Sequence, residues 1–340
     1  MKSSSTILLY NPEPSAPSSI ALFDSIVEYL GTHPAQPNLV FLPVLRSENW
    51  KDKLPTLAPP GSVLLSSGRI DDWTLLEACA EHNVHYLGPT RDARYLKSLL
   101  YHLSYIASKT NTVIIPSADA LSTAVDLTTQ ALRPSQATRS IETTIETVPS
   151  PLLDLAWESY VARDGWHKDS GVFLKDGSTF QVLWDLEDRA LDSNSLTAPW
   201  NSITNHLSQR HAGLAYDYKE TWDVKTPFTE FFSFGVSLIV SILSMFITPS
   251  INAYSPLSSP LRLKIESISM DSFSDSLLLN IPFQSYGNQD CICLVETAIV
   301  LLESGGTDTG GVLTPSAGLG PRGGSLLRQR LEERGGWVWK

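Results

Sequence analysis

The stretch that decides the fold is Val63–Ile115, VLLSSGRIDDWTLLEACAEHNVHYLGPTRDARYLKSLLYHLSYIASKTNTVII. It opens on a short apolar run, Val63–Leu65. A helical segment capped by Asp71 or Asp72 follows, with Leu75, Leu76 and Cys79 on one face. Val84–Leu87 is the next apolar run. Asp92–Lys109 then repeats Tyr95, Leu96, Leu99, Leu100, Leu103, Ile106 and Ala107 on one helical face, before Val113–Ile115 closes the series. Strands alternating with amphipathic helices in this way are the sequence form of a parallel sheet with crossover helices. Toward the N-terminus the rhythm continues, with strands at Ile7–Tyr10 and Leu39–Leu42 and a helix over Ile20–Leu30. Residues 1–135 therefore read as a Rossmann-like parallel-sheet domain.

From Pro134 onward the rhythm stops. Thr138–Val148 alternates like a half-exposed strand, and residues 136–340 read as a second, α+β domain whose C-terminal strand and helix can return to the first. Residues 186–212 are polar and weakly periodic, and residues 249–260 are rich in Ser and Pro, so both read as loops. Phe231–Ile247 contains no charge, proline or side-chain amide, and no charged residue occurs between Glu230 and Arg262. As a helix it would be roughly 25 Å long, the lower limit for crossing a bilayer core. Ser233, Ser237, Ser241 and Ser244 would form one stripe of small residues suited to close packing. A helix buried in the second domain and a helix in or on a membrane both remain open from the sequence.

Composition narrows the classes of function. At 340 residues, with 42% apolar and 18% charged residues, the chain is long and apolar enough to bury a core. Acidic residues outnumber basic ones 36 to 25, and the cations do not cluster, which argues against nucleic acid as a partner. The three cysteines, Cys79, Cys291 and Cys293, are too few and too unevenly spaced for a disulfide framework or a zinc site, and suit a reducing compartment. Only Ile7–Tyr10 is apolar near the N-terminus, too short for a signal peptide. The expected location is the cytoplasm, with membrane association if Phe231–Ile247 touches lipid.

A dinucleotide fold needs glycine in its first strand–helix turn, where the pyrophosphate approaches the helix N-terminus. That turn here is Asn11–Ser19, with no glycine, three prolines and the carboxylate of Glu13. Ser18 and Ser19 remain as anion donors or as simple N-caps. Arg46 and Ser47, after the second strand, stand where such folds meet the adenosine ribose, and a cation there suits a 2′-phosphate. Ser66, Ser67 and Gly68 follow the third strand at the carboxyl edge of the sheet. These seven residues are the candidate cofactor contacts, for NADPH.

A literal G-x-G-x-x-G does occur, at Gly318, Gly320 and Gly323, but only 17 residues follow it and no further strand–helix unit is possible. It reads as a loop leading into a helix over Ser325–Arg334, stopped by Gly335. Neither a G-x-S-x-G elbow nor an H-E-x-x-H pair is present. His82 and His85 straddle a helix end and a strand and point differently, and Cys291 and Cys293 read as core. No nucleophile and base are paired by the sequence alone, so the catalytic residues stay unassigned.

Several segments resemble the saccharopine dehydrogenase-like oxidoreductases, including the trans-acting enoyl reductases. The strongest is Glu77–Leu87 (EACAEHNVHYL), with the helix and strand that run on to Pro116. A second runs from Gly310–Ala317 (GGVLTPSA) through Arg330, Leu331 and Glu332, and shorter similarities lie at Tyr216–Glu220 and Val295–Ala298. The chain departs from that family in lacking the glycine-rich first turn and a strand–helix unit between Leu57 and Val63. It also reads Asp119-Ala120-Leu121-Ser122 where the family has Gly-Phe-Asp-Ser, although Ser122 and Asp126 keep their types. The resemblance implies NADPH-dependent hydride transfer to a carbon chain, a polyketide or lipid-like intermediate that is free or carrier-bound. It equally admits a degenerate, non-catalytic member that binds such an intermediate, a membrane or an assembly partner.

Overall fold

The computed structural model describes residues 6–14, 17–43, 50–68, 72–90, 93–145, 198–214, 216–222, 261–270, 274–282, 286–306 and 310–340. Phe231–Ile247 and the Ser/Pro-rich stretch 249–260 lie outside the described residues.

The first half alternates strand and helix: β1 (Thr6–Tyr10), α1 (Pro17–Thr32), β2 (Asn38–Phe41), α2 (Trp50–Leu57), β3 (Val63–Ser66), α3 (Trp73–His82), β4 (His85–Leu87), α4 (Ala93–Thr110), β5 (Val113–Ile115) and α5 (Ala120–Ala131). The second half holds β6 (Thr138–Ile145), α6 (Ala198–Ala212), β7 (Asp217–Trp222), β8 (Leu261–Ser269), β9 (Ser274–Ile281), α7 (Tyr286–Ser304), β10 (Gly311–Val312), α8 (Pro315–Gly335) and β11 (Val338–Trp339). Six parallel strands form one sheet in the order β10-β5-β4-β3-β1-β2. The other sheet is mixed, in the order β11-β9-β8-β6-β7, with only β6 and β7 parallel. The architecture is thus a Rossmann-like α/β sheet joined to a second, α+β unit.

Burial explains the layers. Leu8, Tyr10, Leu64, Tyr86 and Ile114 share one apolar cluster with Trp50 and Leu54 of α2, Leu75 and Cys79 of α3, and Leu96, Leu99 and Leu103 of α4. Their sequence neighbours Ile7, Leu9, Val63, Leu65, Val113 and Ile115 point to the opposite face, as the two-residue period of a strand requires. There they meet α1, α5, α7 and α8, and the same cluster takes in Ile145, Leu261, Leu263, Leu279 and Ile281 of the second sheet. The two sheets are therefore joined by one core built on α5, α7 and α8. Cys79, Cys291 and Cys293 are all buried in this interior, and burial pushes the Cys291 thiol up to about 12.

Two sequence readings are corrected. The stretch assigned to a loop at 186–212 contains α6 at Ala198–Ala212, hidden from periodicity because its inward face is polar: Asn201, Thr204, Asn205 and Gln209 are buried. The glycines after Ser316 do not form a loop before a helix starting at Ser325. Helix α8 begins at Pro315, capped by the Thr314 hydroxyl accepting from the Ala317 N–H at 3.3 Å. It breaks at Gly320 (φ 66°, ψ 178°), and runs on to Gly335. The glycines serve packing: a Cβ on Gly318 would lie 2.8 Å from Val113 Cγ1, and one on Gly324 2.6 Å from Gln130 Oε1. Between β2 and β3 the chain also forms a helix not named from the sequence, α2, whose Lys51 pairs with Glu77 and Glu81 of α3; from its end at Leu57 to β3 at Val63 no strand–helix unit intervenes, as the sequence reads.

Candidate functional site

Strand β1 pairs with β2 on one side and β3 on the other, so the chain reverses direction across the sheet at β1 and β3. In open parallel sheets ligands bind outside the carboxyl ends of the strands at this reversal. The carboxyl ends here are Tyr10–Asn11 and Ser66–Ser67, tied together by the Ser67 N–H donating to the Tyr10 carbonyl at 3.0 Å. The Ser19 hydroxyl, in the first turn of α1, donates to Asn11 Oδ1 at 2.7 Å and lies 3.1 Å from the Ser67 hydroxyl. Asn11 Oδ1 also accepts from the Glu13 N–H at 3.1 Å, closing the turn, and the Ser66 hydroxyl accepts from the Gly68 N–H at 3.0 Å.

Of the seven residues singled out from the sequence, Ser19, Ser66, Ser67 and Gly68 converge on this point. The side chain of Ser18, within α1, and all of Arg46 and Ser47 lie outside the described residues. Asn11 was missed, although an Asn directly after a strand is a common turn former that closes onto its own backbone. The donor set fits a phosphate held by two serine hydroxyls at a helix N-terminus. It lacks the bare glycine backbone of the usual cradle: Pro12 and Pro14 offer no N–H, and Glu13 exposes a carboxylate beside it. A pyrophosphate gains less here than in a glycine-rich turn.

Further along the same edge, β4 and β5 end beside each other. The Gly88 N–H donates to the Ile115 carbonyl at 3.1 Å, and the Ala118 N–H to the Gly88 carbonyl at 2.9 Å. Asp119 caps α5 by accepting from the Leu121 and Ser122 N–H groups, while Asp290 of α7 accepts from the Ala120 N–H at 2.8 Å. The hydroxyls of Ser117, Ser122 and Thr123 are buried here without a hydrogen-bond partner among the described residues. Near the start of α4, burial pulls the Lys97 ammonium down to about 8, so that it gives up a proton close to neutral pH. At the other end of β4, His85 Nδ1 accepts from the Val113 N–H at 3.0 Å, and burial lowers the ring to about 4. His85 is a neutral strut between β4 and β5.

The shorter similar segments hold buried carboxylates. Glu296 of α7 is enclosed by the Tyr29 hydroxyl at 2.7 Å, His33 Nε2 at 3.2 Å, Arg330 at 3.2 Å and Arg334 at 3.4 Å, binding α1, α7 and α8 together. Glu220 of β7 accepts from the Tyr218 hydroxyl and the Asn201 amide, both at 2.8 Å. Asp126 lies a turn beyond Ser122 in α5, fully buried beside the start of α8. No group of three or more potential metal ligands occurs among the described residues, and no helix among them is long and apolar enough to cross a membrane.

The fold and this crevice define a Rossmann-like α/β protein with an attached mixed-sheet unit. Among solved structures, the chain is similar to the apo saccharopine dehydrogenase (L-Glu forming) of Saccharomyces cerevisiae, at 12% identity, covering 99% of each chain with a TM-score of 0.46. It is similar to C. glutamicum DAP dehydrogenase in complex with DAP at 10% identity, covering 98% of this chain and 99% of that one, with a TM-score of 0.47. An engineered D-amino acid dehydrogenase bound to NADP+ matches at 11% identity, with 98% and 99% covered and a TM-score of 0.39. No family model matches the sequence, and no curated protein does. No activity is taken from these distant likenesses.

Proposed function

We propose that the chain is a nicotinamide nucleotide-dependent reductase, with NADPH lying across the carboxyl edge of the six-stranded sheet. The observation that supports this reading is the reversal at β1 and β3, with the Ser19 and Ser67 hydroxyls paired in its crevice. Ser19 and Ser67 would hold a phosphate, and Arg46 would select the 2′-phosphate. Reduced nicotinamide supplies a hydride. The finer reading is a trans-acting enoyl reductase on a polyketide or lipid-like acyl intermediate, which needs an acid to protonate the α-carbon; Lys97 is the candidate.

A specific observation favours a second reading, a non-catalytic binder of a lipid-like intermediate, a membrane or an assembly partner. The Asn11–Ser19–Ser67 hydrogen bonds and the Glu13 carboxylate occupy the place where a pyrophosphate would sit. Titration of the purified protein with NADPH and NADH separates the two. The expected result is weak binding with NADPH preferred, a preference lost in Arg46→Ala, and a several-fold loss of affinity in Ser67→Ala. Equal binding of both nucleotides, or an unchanged preference in Arg46→Ala, removes Arg46 from the site. Absence of binding by either nucleotide overturns the reductase reading in favour of the second.

A further inference from the structure

A cavity of about 380 Å³ lies away from the β1–β3 crevice, walled by the C-terminal half of α5, the end of α6, Tyr216 and the break in α8. Its volume is that of a small-molecule site. Leu214, Pro134, Ala317 and Pro321 supply apolar wall. Two features point to what it would hold. Tyr216 lines the cavity and is only 8% exposed, and its hydroxyl makes no hydrogen bond to the described residues. Burial and the nearby Asp126 raise its pKa, so it stands as a neutral donor. The hydroxyl is not sealed from solvent, so a ligand's polar group can take the place of the water it meets.

The charge at the rim is the second feature. Arg133 lines the cavity in a left-handed backbone conformation (φ 51°), just past the end of α5, and its guanidinium meets no carboxylate among the described residues. His211 is exposed on the same rim. Among the described residues the lining holds one acid, Asp126, and its carboxylate is already engaged. It accepts from the Ser316 N–H at 2.7 Å, the Ser316 hydroxyl at 2.8 Å and the Ser208 hydroxyl at 2.5 Å. Burial raises the Asp126 pKa as well, weakening its opposition to an incoming anion. Among the described residues the free charge of the lining is therefore positive and sits at its exposed edge, over an apolar interior that Tyr216 also lines.

We propose that this cavity is a second ligand site, for a small organic carboxylate with an apolar body, whose acid group meets Arg133 and whose remaining surface packs inside beside the Tyr216 hydroxyl. Such a site lies outside the nucleotide crevice and does not depend on the reductase reading. Octanoate, 1-octanol and octylamine, titrated into the full chain by calorimetry, are the probes. Octanoate is expected to bind, more tightly than octanol and far more tightly than octylamine.

Arg133→Gly should weaken octanoate about tenfold, the usual scale for a hydrogen bond to a charged group, while its melting temperature is unchanged or higher, because glycine adopts φ near 51° without strain. Tyr216→Phe should weaken it by about threefold or more. Ser67→Ala should leave octanoate binding unchanged, whatever it does to NADPH. Equal affinity for octanoate and octylamine overturns the proposal. So does undiminished octanoate binding in both Arg133→Gly and Tyr216→Phe, or the absence of octanoate binding to the unmodified chain.

Discussion

Substituting His85 tests how β4 and β5 are held in register at the end of the sheet opposite the candidate crevice. The His85 ring is buried, and its Nδ1 lone pair accepts the Val113 N–H at 3.0 Å. Burial strips the charged imidazolium of its hydration, and this lowers the ring from 6.5 to about 4. A folded-state pKa below the unfolded one means that the unfolded chain binds more protons between those values. Stability is therefore full above pH 6.5 and lost as the pH falls toward 4. From pH 7.5 to 4.5 this one ring should cost about 2.5 kcal/mol, the free-energy difference in proton uptake between the two states. The assay is urea unfolding of the wild type and His85→Gln across that range at constant ionic strength, followed by two probes. Glutamine keeps an acceptor for Val113 but does not titrate. The gap between the two proteins should change by about 2.5 kcal/mol in favour of the variant on acidification, while His33, common to both, cancels. Parallel curves would refute the reasoning.

Two further substitutions test other parts of the structure. Gly320 sits at φ 66° and ψ 178°, a conformation essentially confined to glycine, so Gly320→Ala should cost about 1–3 kcal/mol in urea melts. Its affinity for NADPH should stay unchanged, because the glycine serves the break in α8; a selective loss in a folded variant would restore a nucleotide role to that motif. Glu296→Gln removes the charge that holds Tyr29, His33, Arg330 and Arg334 together in a buried cluster. It should destabilise the chain by about 3–5 kcal/mol at pH 7, and a shift below about 1 kcal/mol would mean that α1, α7 and α8 are held by their apolar contacts instead.

The first sheet was legible because its inner strands β1, β3, β4 and β5 are runs of residues buried on both faces, and such runs stand out without a partner or an alignment. Helices α3 and α4 were legible for a related reason. One side of each meets the sheet and the other meets solvent, and the Asp72 carboxylate marks the start of α3 by accepting from the Thr74 N–H at 3.0 Å. Where that contrast is missing, the pattern disappears. From Ala120 to Thr129 every residue of α5 is buried, small, polar and apolar alike, because the helix is enclosed by both sheets and its neighbours. It has no outward face to reveal its period. In α6 the inward side is made of amides and hydroxyls that satisfy one another, as when the Gln209 amide donates to Asn205 Oδ1 at 3.1 Å, so a hydropathy reading takes the helix for a loop.

The same logic governs the sites. Ser19 is legible as a donor at the start of the first helix, and Ser66, Ser67 and Gly68 as the residues that follow the third strand at the carboxyl edge; that β1 and β3 are neighbours at a reversal comes from the sheet order, which no local pattern carries. Asp126 and Tyr216 could be noted as residue types in similar segments, but nothing local joins them. They meet only because α5, α6 and α8 converge at the break that Gly320 permits. In the literal nucleotide motif of the C-terminal glycines, Gly318 answers the close approach of Val113 and Gly323 that of Leu319, while Gly320 lines the cavity. What a glycine does is decided by what approaches it. In this chain the approach comes from side chains of its own core, and the spacing of the motif carries no information about a phosphate.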